Sequence, residues 1–435
     1  MTFDYKKEER RDVLCIDVKS FYASVECVQR GLHPLREMLV VMSHAENTGG
    51  LVLASSPMAK KKLGISNVMR KWDLPNHPEL KIVPPRMKLY IKENMKINNI
   101  YKNYVAEEDL LIYSIDESFL DLTASRHLFA SSTYEFARKI QKQIFDETGL
   151  YVTIGIGDNP LLAKLALDNA AKHNHDFIAE WHYESVPQTV WKIEPITEMW
   201  GIGTRTAKRL KRLGIYSVYD LAQASPHLLK ERIGMIGEQL HAHAWGIDRS
   251  KLSDTYTPIE KSYGNSQVLP RDYLKQAEIE IVIREMADQV AARIRRHHAQ
   301  TKCISLFIGY SMGYRDSNGK GGFHQQLKIP VTSSTKLLTE YCIEIFRNNW
   351  HGQEIRHVGI TYSQLVYTDS IQLDLFHDPD EQIQELKLDL LIDTIRKKYG
   401  YTSLIHANSI TTGGTAVSRS SLVGGHAGGM DGIQE

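Results

Sequence analysis

The chain lacks the features that mark several classes of protein. It has 4 cysteines in 435 residues, widely spaced and without a Cys-x-x-Cys pair, which argues against a disulfide framework and against a zinc site. No apolar run approaches the ~20 residues of a membrane span, and the first residues lack the apolar segment of a signal peptide. We therefore expect a cytoplasmic protein with no membrane partner.

Neither sign of charge dominates the chain, whose net charge is +1. The distribution is more informative, because one short stretch is basic and contains no acidic residue; it holds Arg205, Lys208, Arg209, Lys211 and Arg212. A local basic patch in a near-neutral chain is typical of proteins that bind nucleic acid. The length exceeds what one hydrophobic core organises, so we expect about two to four domains.

Carboxylates follow two short apolar segments that read as buried strands. Asp17 closes the segment that begins at Asp12, and Asp116 and Glu117 follow the segment that begins at Leu110. Three such groups brought together would repel one another unless divalent cations lay between them. Oxygen ligands of this kind suit Mg²⁺, so the pattern suggests a two-metal phosphoryl-transfer site. The alternative, a solvated hairpin tip, is as compatible with these residues alone.

The order of the predicted elements favours an α+β, multidomain protein. Strand, helix, two strands, helix and strand follow one another up to about residue 171, with an insert after the first helix, as in a split-βαβ unit. Residues 176–250 read as helical, residues 251–262 as a polar linker, and residues 263–366 as a second α+β domain. The segment from about 402 is rich in Ser, Gly and Thr, and we expect it to be largely unstructured.

Two motifs resemble those of the Y-family, the translesion DNA polymerases. They are Asp17-Val18-Lys19-Ser20-Phe21-Tyr22-Ala23 and Ser114-Ile115-Asp116-Glu117-Ser118. The chain is most similar to the UmuC-like branch of Gram-positive bacteria. The resemblance implies a right-hand polymerase with a split-βαβ palm, small fingers, a helical thumb with a helix-hairpin-helix and an α+β little finger. The expected ranges are 1–32 and 87–175 for the palm, 33–86 for the fingers, 176–250 for the thumb, 263–366 for the little finger and 367–435 for a tail.

The same resemblance implies the residues of an active site. Asp17, Asp116 and Glu117, with the carbonyl of Val18, would bind two Mg²⁺ ions. Tyr22 would be a steric gate against ribonucleotides. The expected contacts of the incoming deoxynucleoside triphosphate are Phe21, Ser55, Lys61 (with Lys60 and Lys62 as alternatives one position away) and Lys164. Core packing of both Phe21 and Tyr22, and a solvated face for the lysine run, are the competing interpretations.

Two further motifs suggest macromolecular partners. Gly201, Gly203, Thr204, Arg205 and Lys208 lie in a sequence that looks like a helix-hairpin-helix, whose exposed amides and basic side chains bind the DNA backbone. Gln372, Leu373, Leu375 and Phe376 resemble the bacterial sliding-clamp-binding peptide. Gly155-Ile156-Gly157 is not a dinucleotide signature, and we interpret it as a strand end packed closely under substrate.

The leading hypothesis is an error-prone DNA-dependent DNA polymerase that acts as a monomer on primer-template DNA. Repair and damage-induced mutagenesis in the SOS response follow from the resemblance. A palm-type nucleotidyl cyclase shares the metal chemistry, but it would not need the helix-hairpin-helix or the clamp-like peptide. A non-catalytic DNA-binding accessory protein is the other alternative, and it would not need to retain Asp17, Asp116, Glu117, Tyr22 and Lys164.

Overall fold

The computed structural model describes residues 3–43, 50–254, 258, 260–368, 378–423 and 426–427. The chain divides into two compact units, residues 1–255 and 256–435, with the division inside the predicted linker. The clamp-like segment, residues 372–376, lies outside the described residues. Among the residues described, no helix is both long enough and apolar enough to cross a membrane.

The first unit is built on a five-stranded sheet of order β5-β6-β1-β7-β8. Strand β1 lies at its centre, antiparallel to both β6 and β7, while β7 and β8 are parallel. The strands are β1 Val13–Val18, β5 Leu110–Ile112, β6 Glu117–Asp121, β7 Val152–Gly157 and β8 Ile178–Trp181. The helices with this sheet are α1 Phe21–Val28, α3 Met87–Lys102, α4 Thr133–Thr148 and α5 Pro160–Ala166.

Two glycines of β7 bring helix α5 unusually close to the sheet. A Cβ atom on Gly155 would lie 2.0 Å from the carbonyl oxygen of Ala163, and one on Gly157 would lie 2.3 Å from the Ala163 nitrogen. Only glycine permits this approach. The motif lies at the end of β7, as predicted, and the element packed closely against its glycines is α5.

A small insert and a helical region complete the first unit. The insert is a three-stranded sheet of order β3-β2-β4 with one helix; its elements are β2 Leu39–Ser43, β3 Leu51–Ser55, α2 Pro57–Leu63 and β4 Lys81–Val83. The helical region holds α6 Thr204–Arg212, α7 Val218–Gln223, α8 Pro226–Ile233 and α9 Met235–Ala244. The insert has its own apolar core, whereas the core of the helical region continues into α5 and β8 of the five-stranded sheet.

The second unit is a four-stranded antiparallel sheet of order β11-β10-β12-β9 with two long helices against it. The strands are β9 Tyr263–Tyr273, β10 Ala299–Tyr310, β11 Gly322–Thr332 and β12 Ile355–Tyr367. The helices are α10 Gln276–Arg296 and α11 Thr335–Asn349. Downstream lie α12 Pro379–Tyr399, α13 Ala416–Ser420 and a two-stranded ribbon, β13 Leu422–Val423 and β14 His426–Ala427.

The segment from about 402, expected to be largely unstructured, is ordered up to residue 423. The backbone N–H of Thr415 donates to the Glu285 carboxylate at 2.9 Å, and the Tyr273 hydroxyl donates to the Gly413 carbonyl at 3.2 Å. Helix α12 is tied to α10 by an ion pair between Arg295 and Asp393 at 2.7 Å. The prediction was wrong because polar contacts with α10 and β9, which composition does not reveal, hold this segment.

Candidate active site

The strand register brings the three predicted carboxylates to one end of β1 and β6. Asp17 lies directly opposite Glu117 in the antiparallel pair. The N–H of Val18 donates to the backbone carbonyl of Asp116 at 2.8 Å, which extends the pairing to the residue before β6. The buried strands β1 and β6 therefore bring acidic side chains together where β1 ends and β6 begins.

Two polar side chains fix the turn that carries Asp116 and Glu117. The Ser114 hydroxyl accepts from the N–H of Glu117 at 3.0 Å and donates to Asp116 Oδ1 at 2.8 Å. From helix α3, Asn94 Nδ2 donates to the carbonyl of Ile115 at 2.7 Å. No pattern in the sequence marks Asn94, because its contact with the turn is set by the packing of α3.

Burial and like charge make ionisation of Asp17 unfavourable. Burial raises the pKa of Asp17 from 3.8 to about 6; Lys172 opposes that rise, and the charges of Asp116 and Glu117 add to it. A carboxylate with neighbours of the same sign gains most from a nearby cation. The electrostatics of this end of the sheet therefore favour binding of positive charge.

Lysines and carboxylates alternate along the floor of the site. Lys164 Nζ lies 2.8 Å from the Glu117 carboxylate and 3.1 Å from Asp168 Oδ2. Lys172 Nζ lies 2.8 Å from Asp168 Oδ1 and 3.9 Å from Asp17 Oδ2. We call this chain of charges, Asp17–Lys172–Asp168–Lys164–Glu117, the charge ladder. It supplies each of the two facing carboxylates with a counter-ion.

The position of Lys164 differs from the one expected for a triphosphate ligand. Its side chain is only 8% exposed and lies beneath Glu117, with the Cys15 thiol 3.2 Å from the same carboxylate. Burial would lower the pKa of Lys164, but the carboxylates of Asp168 and Glu117 help to raise it, so the amine stays charged. Lys172 is more exposed, by 35% of its side chain, and it directly follows the π turn over Leu167–Ala171 that continues α5.

The donor set suits a hard divalent cation, since its side-chain atoms are carboxylate oxygens. The described residues contain no group of three histidine, cysteine or carboxylate side chains already gathered as metal ligands. Asp17 and Glu117 instead face the ammonium groups of Lys172 and Lys164. The residues therefore fit a metal by chemistry and by register, while lysines balance part of their charge in this conformation.

Tyr22 and Phe21, adjacent at the start of α1, have different surroundings. The Tyr22 ring is half-buried and stacks on Tyr90, with 4.4 Å between ring centroids and 15° between planes. Burial raises the pKa of Tyr22, and the charge of Asp116 adds to that rise, so the hydroxyl lies within the influence of the acidic turn. Phe21 is only 2% exposed, which supports the core interpretation for this ring over contact with a base.

A buried carboxylate anchors the ring beneath Tyr22. The Tyr90 hydroxyl donates to Glu26 at 2.7 Å, and Arg86 donates to the same carboxylate at 2.6 Å, with Arg30 as a third donor. Burial alone would raise the pKa of Glu26, but these hydrogen bonds hold it below its usual value. The ring stacked under Tyr22 is therefore held by the Glu26 carboxylate, which is ionised and accepts hydrogen bonds from three side chains.

The insert residues predicted to contact phosphate are not equivalent. Lys60, Lys61 and Lys62 are all exposed, but Lys60 donates to the Ser20 hydroxyl at 3.2 Å. Desolvation lowers the pKa of Lys60, and the charges of Asp17 and Asp116 oppose that change. Lys60 is therefore directed toward the acidic site. The structure argues against Ser55, because this residue is fully buried and its hydroxyl donates to the Ile65 carbonyl at 3.1 Å.

The predicted helix-hairpin-helix residues share one exposed region. Gly201 has a φ of +92°, and Gly203 is the N-cap residue just before α6, without a side-chain hydrogen bond to the helix, so the first amides of the helix are left to bind an anion. Ile202 between them is buried and anchors the turn. The exposed residues are Gly201, Gly203, Thr204, Arg205 and Lys208.

Comparison with known proteins gives matches along most of the chain. Residues 16–168 match the impB/mucB/samB family, residues 260–375 match the C-terminal domain of that family, and residues 183–215 match the helix-hairpin-helix motif of the IMS family. UvrX of Bacillus subtilis (strain 168), named as a UV-damage repair protein, is 41% identical over 97% of this chain and 99% of its own length. DNA polymerase IV 2 of the same organism is 35% identical over 95% of this chain and 98% of its own length.

Among solved structures, a chimeric Y-family DNA polymerase built from Dbh and Dpo4 has a similar fold. Its TM-score is 0.64 at 20% sequence identity, and the match covers 82% of this chain and 100% of the other. This likeness confirms the predicted fold class.

Removing the Lys164 amine tests the charge ladder. We expect Lys164→Met to lower the free energy of unfolding by about 3 kcal/mol, because Glu117 is left buried without its counter-ion. Lys60→Met, which removes an exposed amine, should change it by less than about 0.5 kcal/mol. The free energy of unfolding in urea is measured for the parent, for both single variants and for the double variant Lys164→Met/Glu117→Gln. Equal small effects of the two single substitutions would contradict a structural role, and the double variant should regain much of the loss.

Proposed function

The chain belongs to the impB/mucB/samB family, the Y-family of DNA polymerases, and we propose that it extends a primer 3′ end opposite damaged template by two-metal phosphoryl transfer. The observation that carries this proposal is the register that sets Asp17 opposite Glu117 with Asp116 in the adjoining turn. Deoxynucleoside triphosphates and primer-template DNA are the substrates.

We propose that Asp17, Asp116 and Glu117, with the carbonyl of Val18, hold two Mg²⁺ ions. Such ions activate the primer hydroxyl and neutralise the triphosphate and the leaving pyrophosphate. The protein supplies position: the strand register sets Asp17 against Glu117, and Ser114 and Asn94 hold the acidic turn from two sides. No protein nucleophile is required, because this chemistry depends on alignment and charge neutralisation.

Lys172 is a better candidate than Lys164 for the triphosphate. It lies at the open end of the charge ladder, 3.9 Å from Asp17, and its pairing with that carboxylate competes with metal binding there. Its amine would then be available to the triphosphate, while Lys164 remains under Glu117 as a positioning residue. Lys60 faces the same region from the insert, and Lys61 is its neighbour in the exposed run.

Selection against ribonucleotides is assigned to Tyr22. A ring held against Tyr90 cannot retreat to admit a 2′-hydroxyl, so the larger sugar is rejected by overlap. The helix-hairpin-helix turn at Gly201 and Gly203, followed by the basic helix α6, is assigned to the DNA backbone, which it would grip without reading sequence.

The small insert, proposed as the fingers, supports tolerance of damaged bases. Its described residues form three short strands and one seven-residue helix, with a core cluster of six buried residues. So small an element closes little surface over a nascent base pair, and discrimination between bases falls when closure contributes little. We propose a role for the protein in DNA repair and damage-induced mutagenesis.

Primer extension with Mg²⁺ tests the assignment of the carboxylates. On undamaged template and on template with an abasic site, we expect the parent chain to extend the primer and Asp116→Ala/Glu117→Ala to fail. Both proteins should still bind the primer-template in an electrophoretic shift assay. Extension by the double variant at the parental rate would refute the metal-ligand assignment.

The gate assignment predicts a change in sugar selection. Tyr22→Ala should raise the ratio of ribonucleotide to deoxynucleotide incorporation about tenfold or more, because the ring that overlaps the 2′-hydroxyl is removed. Tyr22→Phe, which keeps the ring, is the matched control and should retain parental selection. Single-nucleotide incorporation kinetics give both ratios, and an unchanged ratio for Tyr22→Ala would remove Tyr22 from this role.

A sliding clamp is proposed as a partner through residues 372–376, and the polymerase itself as a monomer. Deleting these five residues should abolish co-purification with the bacterial clamp and leave clamp-free primer extension at the parental level. Replacing Ser418, in α13, by alanine serves as a control outside the motif. Retention of the clamp by the deletion variant would disprove the partner site.

A further inference from the structure

Lys19 follows directly after β1, and its side chain is partly buried. Its N–H donates to the Tyr151 carbonyl at 2.9 Å, which continues the pairing of β1 with β7 by one residue. Alternate residues of a strand project from the same face, so Lys19 lies on the same side of the sheet as Asp17. There its ammonium lies 3.4 Å from the backbone carbonyl of Lys172 and 4.3 Å from the centroid of the Phe177 ring. One side chain thus contacts both ends of the loop, residues 172–177, that joins the π turn to β8.

Phe177 adopts a backbone conformation that aromatic residues rarely have. Its φ is +59°, in the left-handed region, which is unfavourable for a residue with a bulky side chain. Such a conformation persists where surrounding contacts or a function require it. The Phe177 carbonyl accepts from the N–H of Ile154 at 2.8 Å, and the ring faces the Lys19 ammonium within the range of a cation–π contact. The strained conformation therefore attaches the end of the loop to β7 and to Lys19 at once.

The start of the loop carries the lysine proposed for the triphosphate. The N–H of Lys172 donates to the Leu167 carbonyl at 3.2 Å, so the π turn holds this residue from one side. Its carbonyl is held from the other side by the Lys19 ammonium. Residues 173–175, which follow, are exposed. The position of the Lys172 backbone therefore depends on Lys19 as well as on the π turn.

We propose that Lys19 and Phe177 are positioning residues, which together form a brace that holds the backbone at Lys172. With that backbone fixed, the Lys172 amine can leave Asp17 and reach the triphosphate. This inference rests on the proposed function, which assigns the triphosphate to Lys172. A long, flexible side chain is directed only as well as its backbone is fixed, and a ligand displaced by about 1 Å binds its substrate less well.

Direct contact of Lys19 with the triphosphate is the competing interpretation. Burial lowers the pKa of Lys19; the charge of Asp17 opposes that change, and the charges of Lys172 and Lys60 add to it. Three ammonium groups therefore lie within electrostatic range of one another. We favour the brace, because the carbonyl and the ring that hold the Lys19 ammonium both belong to the loop.

Single-nucleotide incorporation kinetics on undamaged primer-template test the brace. We expect Lys19→Met and Lys172→Met each to raise KM for the deoxynucleoside triphosphate about tenfold, while kcat changes by less than about threefold. The double variant should have the KM of Lys172→Met alone, because Lys19 acts through that amine. Lys19→Arg, which keeps a cation against the ring, should restore most of the parental KM. Lys139→Met, which removes an exposed ammonium 5.5 Å from the Tyr104 ring centroid, is the matched control.

Two results of these kinetics would overturn the brace. If the increases in KM multiply in the double variant, Lys19 contacts the triphosphate itself. If Lys19→Met has the parental KM while Lys172→Met does not, Lys19 has no part in placing that amine.

Amide hydrogen exchange of the DNA-free protein tests the brace without polymerase activity. Across residues 172–178 we expect exchange about tenfold faster in Lys19→Met and in Phe177→Leu than in the parent and in Lys172→Met. Peptides of the insert and of α9 should exchange at the parental rate, which separates a local effect from misfolding. Parental exchange across the loop in Lys19→Met would overturn the brace. Failure of the parent to incorporate nucleotide would instead count against the proposed function.

Discussion

The mutual repulsion of three carboxylates, one buried (Glu117) and two partly buried (Asp17 and Asp116), is the constraint around which the first unit is organised. Asp17 and Glu117 face each other across β1 and β6, and Asp116 is adjacent in the turn. Two like charges at this separation in a partly desolvated site are costly unless cations lie close to them. The charge ladder meets that need with Lys172 and Lys164, which share Asp168 between them.

The ladder in turn depends on how close helix α5 lies to the sheet. Lys164 reaches Glu117 from below because Gly155 and Gly157 leave room for the backbone of α5 directly on β7. A side chain at either glycine would move the helix away and take the Lys164 amine with it. The two glycines therefore influence the acidic site indirectly. They set the position of α5, and α5 holds the Lys164 amine 2.8 Å from the Glu117 carboxylate.

The sequence predicts the acidic centre well because its signal is local. Asp17 lies near the end of the buried strand β1, as predicted, and the register with β6 places it opposite Glu117. The strand predicted to be buried before Asp116 is instead exposed, since Leu111 and Ile112 of β5 are 40% and 47% exposed. The sequence does not distinguish the roles of Lys164 and Lys172, because both lie near the same carboxylates. Their different exposure depends on the π turn over Leu167–Ala171, which precedes Lys172. No pattern in the sequence marks that turn. Ser55 fails for a similar reason, because its hydrogen bond to Ile65 depends on the packing of the insert.

The support beneath Tyr22 is more extensively fixed than the small insert. Under Tyr22 lies a ring whose hydroxyl is fixed to Glu26, a side chain with no exposed surface and donors from Arg86 and Arg30. Displacing that stack would leave a buried carboxylate with unsatisfied hydrogen bonds, which is expensive. The insert, by contrast, has a core cluster of six buried residues. Under the proposed function, the sugar would therefore meet the fixed stack of Tyr22 on Tyr90, and the base would meet the small insert. That combination suits a polymerase that must accept altered bases while it still builds DNA.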